Sequence, residues 1–458
     1  MEPARELAEG EPAFAWSDAL RAVAAATIGT TIEFYDFFVY GMVASLIFDR
    51  LFFPHQSVYA GTLLALSTFA VGFVARPVGA ALFGHFGDRM GRKATLMVTL
   101  MLTGASTVGI GLVPTYARIG LWAAGLLVSL RVVQGLALGG EWGGSVLMAI
   151  EWERFDGRRG LCAAFPHLGT PAGMLLAAGA LYACNHAMSA ASFVAWGWRV
   201  PFLLSAVLFG IGLYIRLGIK ETPDFDRLKR MEGLARYPLA EVWRGYRREV
   251  VLTALARSAE QGPFYIFMTL VLAYGTQHLG LPQGLLLRAL TLASALALVT
   301  TPFWGLVSDL IGRRTMYLIG AGMLTLYAMP YYWLLDTRRP GLVSLAIIVS
   351  LMAHDMMYGP QAAMVAEVFP LRVRYSGASL GYQLASVVSG GPAPLIAAFL
   401  LHRFGTPYAI GAYLMVLGVL SLISTSLLPD PAPARPLAEN EEMPAQSRQA
   451  AAERAASY

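Results

Sequence analysis

Gly84-His85-Phe86-Gly87-Asp88-Arg89-Met90-Gly91-Arg92-Lys93 and Gly305-Leu306-Val307-Ser308-Asp309-Leu310-Ile311-Gly312-Arg313-Arg314 are one pattern written twice in a chain of 458 residues. In each copy Asp follows the first glycine by four positions, Gly follows by seven, and basic residues follow by eight and nine. Each copy comes after the second long apolar run of its half. The next basic segments also correspond: Glu151 precedes Arg158-Arg159-Gly160 as Glu367 precedes Arg374-Tyr375-Ser376-Gly377. A repeat of this kind is the sequence sign of a transporter built from two parallel six-helix halves, with its site between them near mid-membrane.

Working outward, apolar runs of bilayer-spanning length lie roughly at 19–48, 58–83, 94–113, 120–147, 160–184 and 198–219. After a polar break others lie roughly at 250–275, 284–306, 315–335, 341–363, 377–401 and 406–428. About 20 apolar residues cross a bilayer as helix. The reading is an all-α integral membrane protein: twelve transmembrane helices in two pseudo-symmetric six-helix bundles. Its parts are an N-terminal tail (1–18), a first bundle (19–219), a central loop (220–249), a second bundle (250–428) and a disordered tail rich in Pro, Ala and Glu (429–458).

Composition agrees with this. The chain is 56% apolar and 14% charged, whereas soluble domains carry about 25% charge. The net charge of +5 does not point to nucleic acid, because Lys and Arg sit in short loops and form no stripe interleaved with aromatics. Those loops, at 85–93, 154–159, 220–249, 313–314 and 372–374, all fall on one side. That asymmetry predicts a multi-pass protein with both termini cytoplasmic. Glu2, Glu6, Glu9 and Glu11 replace the basic start of a cleaved signal peptide, so the first span is expected to act as an uncleaved insertion signal. Cys162 and Cys184 lie in apolar runs without metal-ligand spacing and read as small buried hydrophobes.

The repeated loop has its own physics. Glycines permit a tight turn against a neighbouring helix. The Asp suits a partner helix N-terminus or an Arg, and the basic pair suits carboxylates or lipid phosphate. Gly84, Asp88, Arg89, Gly91, Arg92 and Lys93, with Asp309, Gly312, Arg313, Arg314, Glu367 and Arg374, are therefore the candidate gating residues.

Together these loops resemble the signature of the major facilitator superfamily, over about Ala19 to Leu428. More specific stretches resemble its metabolite:proton symporter branch, which includes α-ketoglutarate, citrate, shikimate and proline/betaine carriers. They are Gly29-Thr30-Thr31-Ile32-Glu33-Phe34-Tyr35-Asp36-Phe37, Arg76-Pro77, Arg131-Val132-Val133-Gln134-Gly135 with Gly139-Gly140-Glu141-Trp142-Gly143-Gly144, Trp198-Arg199-Val200-Pro201-Phe202 and Glu367-Val368-Phe369-Pro370.

A charge at the centre of a spanning helix costs about 2.5–3.5 kcal/mol on insertion scales, so each needs a partner or a wet cavity. Glu33 and Asp36 stand near one face of span 1, and Arg131 stands at comparable depth in span 4. Arg131 is read as a substrate or coupling residue, and Asp36 or Glu33 as the proton carrier. The bland alternative is a fixed ion pair holding the two spans together. Arg76 divides evenly between cavity and gate, and Glu141 reads as a packing partner. His167 sits near the inner end of span 5. Arg257 with Glu260 reads as a local helix pair at least as well as a substrate contact. The remaining polar candidates for the site are Tyr35, Gln134, Gln261, Tyr265, His354, Asp355, Tyr358, Gln361, Tyr382 and Gln383.

The resemblance implies a proton-coupled symporter for a small polar metabolite in a bacterial inner membrane, working without a cofactor, with the proton as coupling ion. It is expected to be monomeric, since one chain holds both halves. An organic acid is the favoured cargo, because arginines attract carboxylates. A proline/betaine-type osmolyte and an H+-antiport exporter remain alternatives. A membrane sensor or enzyme is remote: the chain has no Walker loop, GxSxG, HExxH or Cys/His cluster.

Overall fold

A computed structural model describes residues 16–56, 58–151, 158–230 and 235–429. The tails expected at 1–18 and 429–458 fall largely outside the described residues. Long apolar runs bounded by glycine and proline fold as helices because lipid leaves no other partner for the backbone. The spans are α1 (Trp16–Val43), α2 (Val58–Met90), α3 (Arg92–Leu112), α4 (Trp122–Glu151), α5 (Arg159–Ala187) and α6 (Phe193–Leu217). A helical run from Arg247 to His278 forms α7, broken near Arg257 and followed by π turns. Then come α8 (Gln283–Ile311), α9 (Arg313–Asp336), α10 (Pro340–Glu367), α11 (Leu371–Phe404) and α12 (Tyr408–Leu427). Among the described residues ten of these are long and apolar enough to cross a membrane. Helices α2 and α7 fill the other two expected positions.

The polar break is not wholly loop. Pro223–Arg230 and Pro238–Gly245 are short helices, and α7 already begins at Arg247. Proline in the first turn, with Asp224 and Asp226 or Glu241 beside the positive helix end, favours both starts.

The two halves repeat the same neighbours. Pairs α2–α4, α3–α4, α3–α6, α1–α5 and α1–α6 of the first half correspond to α8–α10, α9–α10, α9–α12, α7–α11 and α7–α12 of the second. Between the halves α2 packs on α11, and α5 packs on α8 and α10. Large apolar side chains such as Val74, Val78, Val207, Ile211, Leu326 and Val416 remain exposed on the outside of the bundle, where lipid is their natural solvent.

At the end of the molecule that carries the glycine loops, here the basic face, the halves share a core. Trp142, Leu147, Ile150 and Ala163 of the first half meet Ala362, Ala366, Phe369 and Tyr375 of the second. Close approach here needs glycine: a Cβ on Gly84 would lie 2.8 Å from the Ser376 backbone, and one on Gly305 would lie 2.8 Å from the Gly160 carbonyl.

A candidate transport site between the halves

The glycine loops join the two halves at the basic face by a reciprocal arrangement. Gly91 and Gly312 turn the chain with φ of 107° and 94°, a region that L side chains rarely adopt. The turn sets Asp88 against the first turn of α11, where it accepts from the Ser376 backbone N–H (2.9 Å), the Tyr375 N–H (3.2 Å) and the Ser376 hydroxyl (2.7 Å). Asp309 does the same at α5, accepting from the N–H groups of Gly160 (2.8 Å) and Leu161 (2.9 Å). Each half thus places a carboxylate on an N-terminal helix end of the other, where free N–H groups and the helix dipole favour negative charge.

The basic residues support these caps. Arg92 lies 3.5 Å from Asp88 and 3.1 Å from Glu151. Arg313 lies 3.3 Å from Asp309 and 2.6 Å from Glu367. Lys93 donates to the Leu217 carbonyl (3.1 Å), Arg314 to Ser426 and Arg374 to Phe369, while Arg89 is exposed. Glu221, outside the spans, accepts from the N–H groups of Arg92 (3.0 Å) and Lys93 (3.1 Å) at the start of α3. Burial pushes its carboxyl above the usual range, against the pull of those hydrogen bonds and of Arg92.

Above the shared core, a layer of rings crosses from one half to the other. Tyr358 of α10 stacks on His167 of α5 (3.9 Å between centroids, 6° apart), and Trp142 of α4 stacks on Tyr382 of α11 (3.5 Å, 16°). Trp142 donates its indole N–H to His167 Nε2 (3.1 Å), and His167 Nδ1 lies 2.7 Å from the Tyr358 carbonyl. Indole only donates, so Nε2 accepts, Nδ1 carries the hydrogen, and the ring is neutral.

On this layer rests a cavity between the halves. From the first half it takes Thr30, Glu33, Phe34, Arg76, Trp142 and Thr170. From the second it takes Arg257, Glu260, Gln261, Phe264, Tyr265 and His354, with Tyr358, Tyr382 and Gln383 completing the wall. Arg76 precedes Pro77, which interrupts the hydrogen bonds of α2. Its guanidinium lies over Phe73 (4.7 Å) and Phe37 (4.9 Å), and its Nε has no hydrogen-bond partner among the described residues. Nor has Glu33 Oε2, although the residue is buried.

The charges contributed by α7 are paired. Arg257 lies 2.9 Å from Glu260, donates to the Tyr382 carbonyl and sits 3.2 Å over the Tyr382 ring. His354 stands between carboxylates, 3.1 Å from Asp355 and 3.5 Å from Glu260, and Gln361 donates to Glu260 at 3.0 Å. Carboxylates only accept, so these contacts suit a histidine with hydrogen on both nitrogens.

The other sequence candidates lie elsewhere. Asp36 accepts from Thr107 (2.9 Å) and from Ser205. Gln134 donates to Thr107 (2.8 Å) and accepts from Arg131. This chain runs inside the first bundle and does not line the cavity, so Asp36 and Arg131 meet through two intermediaries. Tyr35 donates to the Pro201 carbonyl at 2.8 Å in the same interior. Of the candidates, Glu33, Gln261, Tyr265, His354, Tyr358, Tyr382 and Gln383 line the cavity, His167 lies in the ring layer beneath it, and Asp355 lines an adjoining space. Sequence reasoning missed Trp142 as a site residue, because a tryptophan among glycines reads as packing. It also missed Arg216, which pairs with Glu141 where the spacing suggested only a helix end.

Residues 26–391 match the Major Facilitator Superfamily. The chain belongs to that superfamily. It is accordingly a multi-pass membrane transporter and not an enzyme. Curated relatives of near-equal length include the inner membrane metabolite transport protein YhjE of Escherichia coli (strain K12), 41% identical over 89% of this chain and 93% of that protein. The shikimate transporter of the same organism is 38% identical over 90% and 95% of the two chains, and its proline/betaine transporter is 32% identical over 88% and 82%. Among solved structures, the proton:xylose symporter XylE bound to 6-bromo-6-deoxy-D-glucose shares the fold, with a TM-score of 0.72, 18% identity, and 90% and 96% of the chains covered. Among the described residues of this superfamily member, no group of three or more His, Cys, Asp or Glu side chains is arranged to hold a metal ion.

Proposed function

We propose that this transporter carries a small organic acid anion together with a proton into the cell, through the cavity between its halves. One observation carries the reading: a buried carboxyl and a guanidinium, Glu33 and Arg76, line the same cavity, and each has a hydrogen-bonding atom unmet among the described residues. A buried acceptor without a donor favours the protonated carboxyl. A guanidinium with a spare N–H favours a carboxylate ligand. An anion drawn to Arg76 weakens the attraction of that cation for a nearby ionised Glu33 and so favours its protonation, which makes the two loads enter together. The name of the shikimate relative supports the acid, and the XylE likeness is consistent with proton coupling.

In this reading the halves 19–219 and 250–428 rock about the cavity, and one chain suffices. The basic face is cytoplasmic by the positive-inside rule, in a bacterial inner membrane like that of the YhjE relative. A second reading, a proline/betaine-type zwitterion, is favoured by the balance of Arg76 and Arg257 against Glu33 and Glu260 around one space. The test is uptake into proteoliposomes under an inward proton gradient, with shikimate, succinate, proline and glycine betaine compared. We expect an acid to accumulate and dissipation of the gradient to stop it. Accumulation of the zwitterions alone would favour the second reading, and uptake indifferent to the gradient would overturn proton coupling.

A further inference from the structure

Beside the polar cavity lies a second space whose character differs. Its walls include Pro171 and Met174 of α5, Met268 of α7, Ala297 of α8 and Leu351 of α10. Four residues, Thr170, Phe264, His354 and Tyr358, line both spaces, so the two meet along that seam.

The polar groups around the second space are largely occupied. Thr170 and Tyr358 share a hydrogen bond of 2.7 Å. Ser294 donates to the Met174 sulfur at 3.5 Å, and Asp355 takes His354 at 3.1 Å and Thr300 at 2.5 Å. Thr301 Oγ1 has no hydrogen-bond partner among the described residues. Most of the lining hydroxyls are bonded within the protein and the rest of the wall is largely hydrocarbon, which favours a hydrocarbon guest over water.

We infer that the second space is a subsite for the apolar limb of the substrate, whose carboxylate sits in the first. The cargo is thus an amphipathic acid with an unsubstituted hydrocarbon limb, in preference to a compact polycarboxylate. Met174 and Met268 suit limbs of varied shape, since thioethers are flexible and polarizable. Ala297 sets the room available on the α8 side. This inference rests on the organic-acid reading above.

The test uses purified protein in nanodiscs, titrated calorimetrically with acetate, butyrate, hexanoate and octanoate. Affinity should rise about four-fold per added methylene until the space is full. Ala297→Leu, and separately Ser294→Leu on the same wall, should leave acetate binding unchanged and weaken hexanoate about ten-fold. Affinity independent of chain length would overturn the subsite. A length dependence that survives both substitutions would also overturn it, placing the limb elsewhere or in lipid. Failure of every alkanoate to bind, with shikimate or succinate still binding, would overturn the subsite alone; failure of those two acids as well would overturn the organic-acid reading itself.

Discussion

Glu141 shows what a single buried charge requires. It faces Arg216, accepts from Thr99 at 2.6 Å, and both charged groups are withdrawn from solvent. Removing one partner leaves the other charge uncompensated, which costs about 3–5 kcal/mol. Glu141→Ala should therefore lower the melting temperature of the purified protein sharply, and Glu141→Gln with Arg216→Met should recover most of the loss. Equal stability of Glu141→Ala and wild type would contradict the pairing. At the cavity, Arg76→Ala should raise the half-saturating substrate concentration at least ten-fold while Arg76→Lys raises it less, measured by uptake against concentration. The charges themselves were legible in the sequence, and so was the local Arg257–Glu260 pair; the long-range partner of Glu141 was not. Three residues of helix turn Asp36 about 60° from Glu33. That rotation separates a side chain on the cavity from one hydrogen-bonded to Thr107 inside the bundle.

The reciprocal caps belong to the scale of helices. Losing a cap costs about 1 kcal/mol, enough to shift a balance between open and closed basic faces. Ser379 is buried and packs against Gly143 across the closed interface. In a background with Cys162→Ala and Cys184→Ala, Ser379→Cys should react slowly with a thiol reagent, and several-fold faster once Asp88→Ala or Asp309→Ala is added. Unchanged labelling would contradict the gate. The cap of α3 by Glu221 carries a pH signature. Burial raises this carboxyl, so its contribution to stability is fully present below the unfolded value of about 4.3 and is lost as pH rises through the folded one. Melting curves should show Glu221→Gln gaining on wild type from pH 4 toward neutrality, and a constant difference would contradict this. Glycine and Asp at fixed offsets announced a turn and an anchor. Which helix each Asp caps is a long-range fact, 287 residues apart for Asp88 and Tyr375, and no local spacing encodes it.

At the scale of the molecule, the repeat made the architecture readable: two similar halves, twelve spans and a site between them. The cavity was less readable, because it draws single side chains from helices of both halves whose rotations are set by packing. Trp142 acquires a role only when its ring stacks on that of Tyr382, 3.5 Å away across the interface. We propose that Glu33 carries the proton that drives uphill uptake of an anion held at Arg76. It is tested most directly by comparing wild type with Glu33→Gln in proteoliposomes loaded with the transported acid, under counterflow and under an inward proton gradient. Glu33→Gln should still exchange internal for external substrate and no longer accumulate it under the gradient. Gradient-driven accumulation by Glu33→Gln equal to wild type would contradict it.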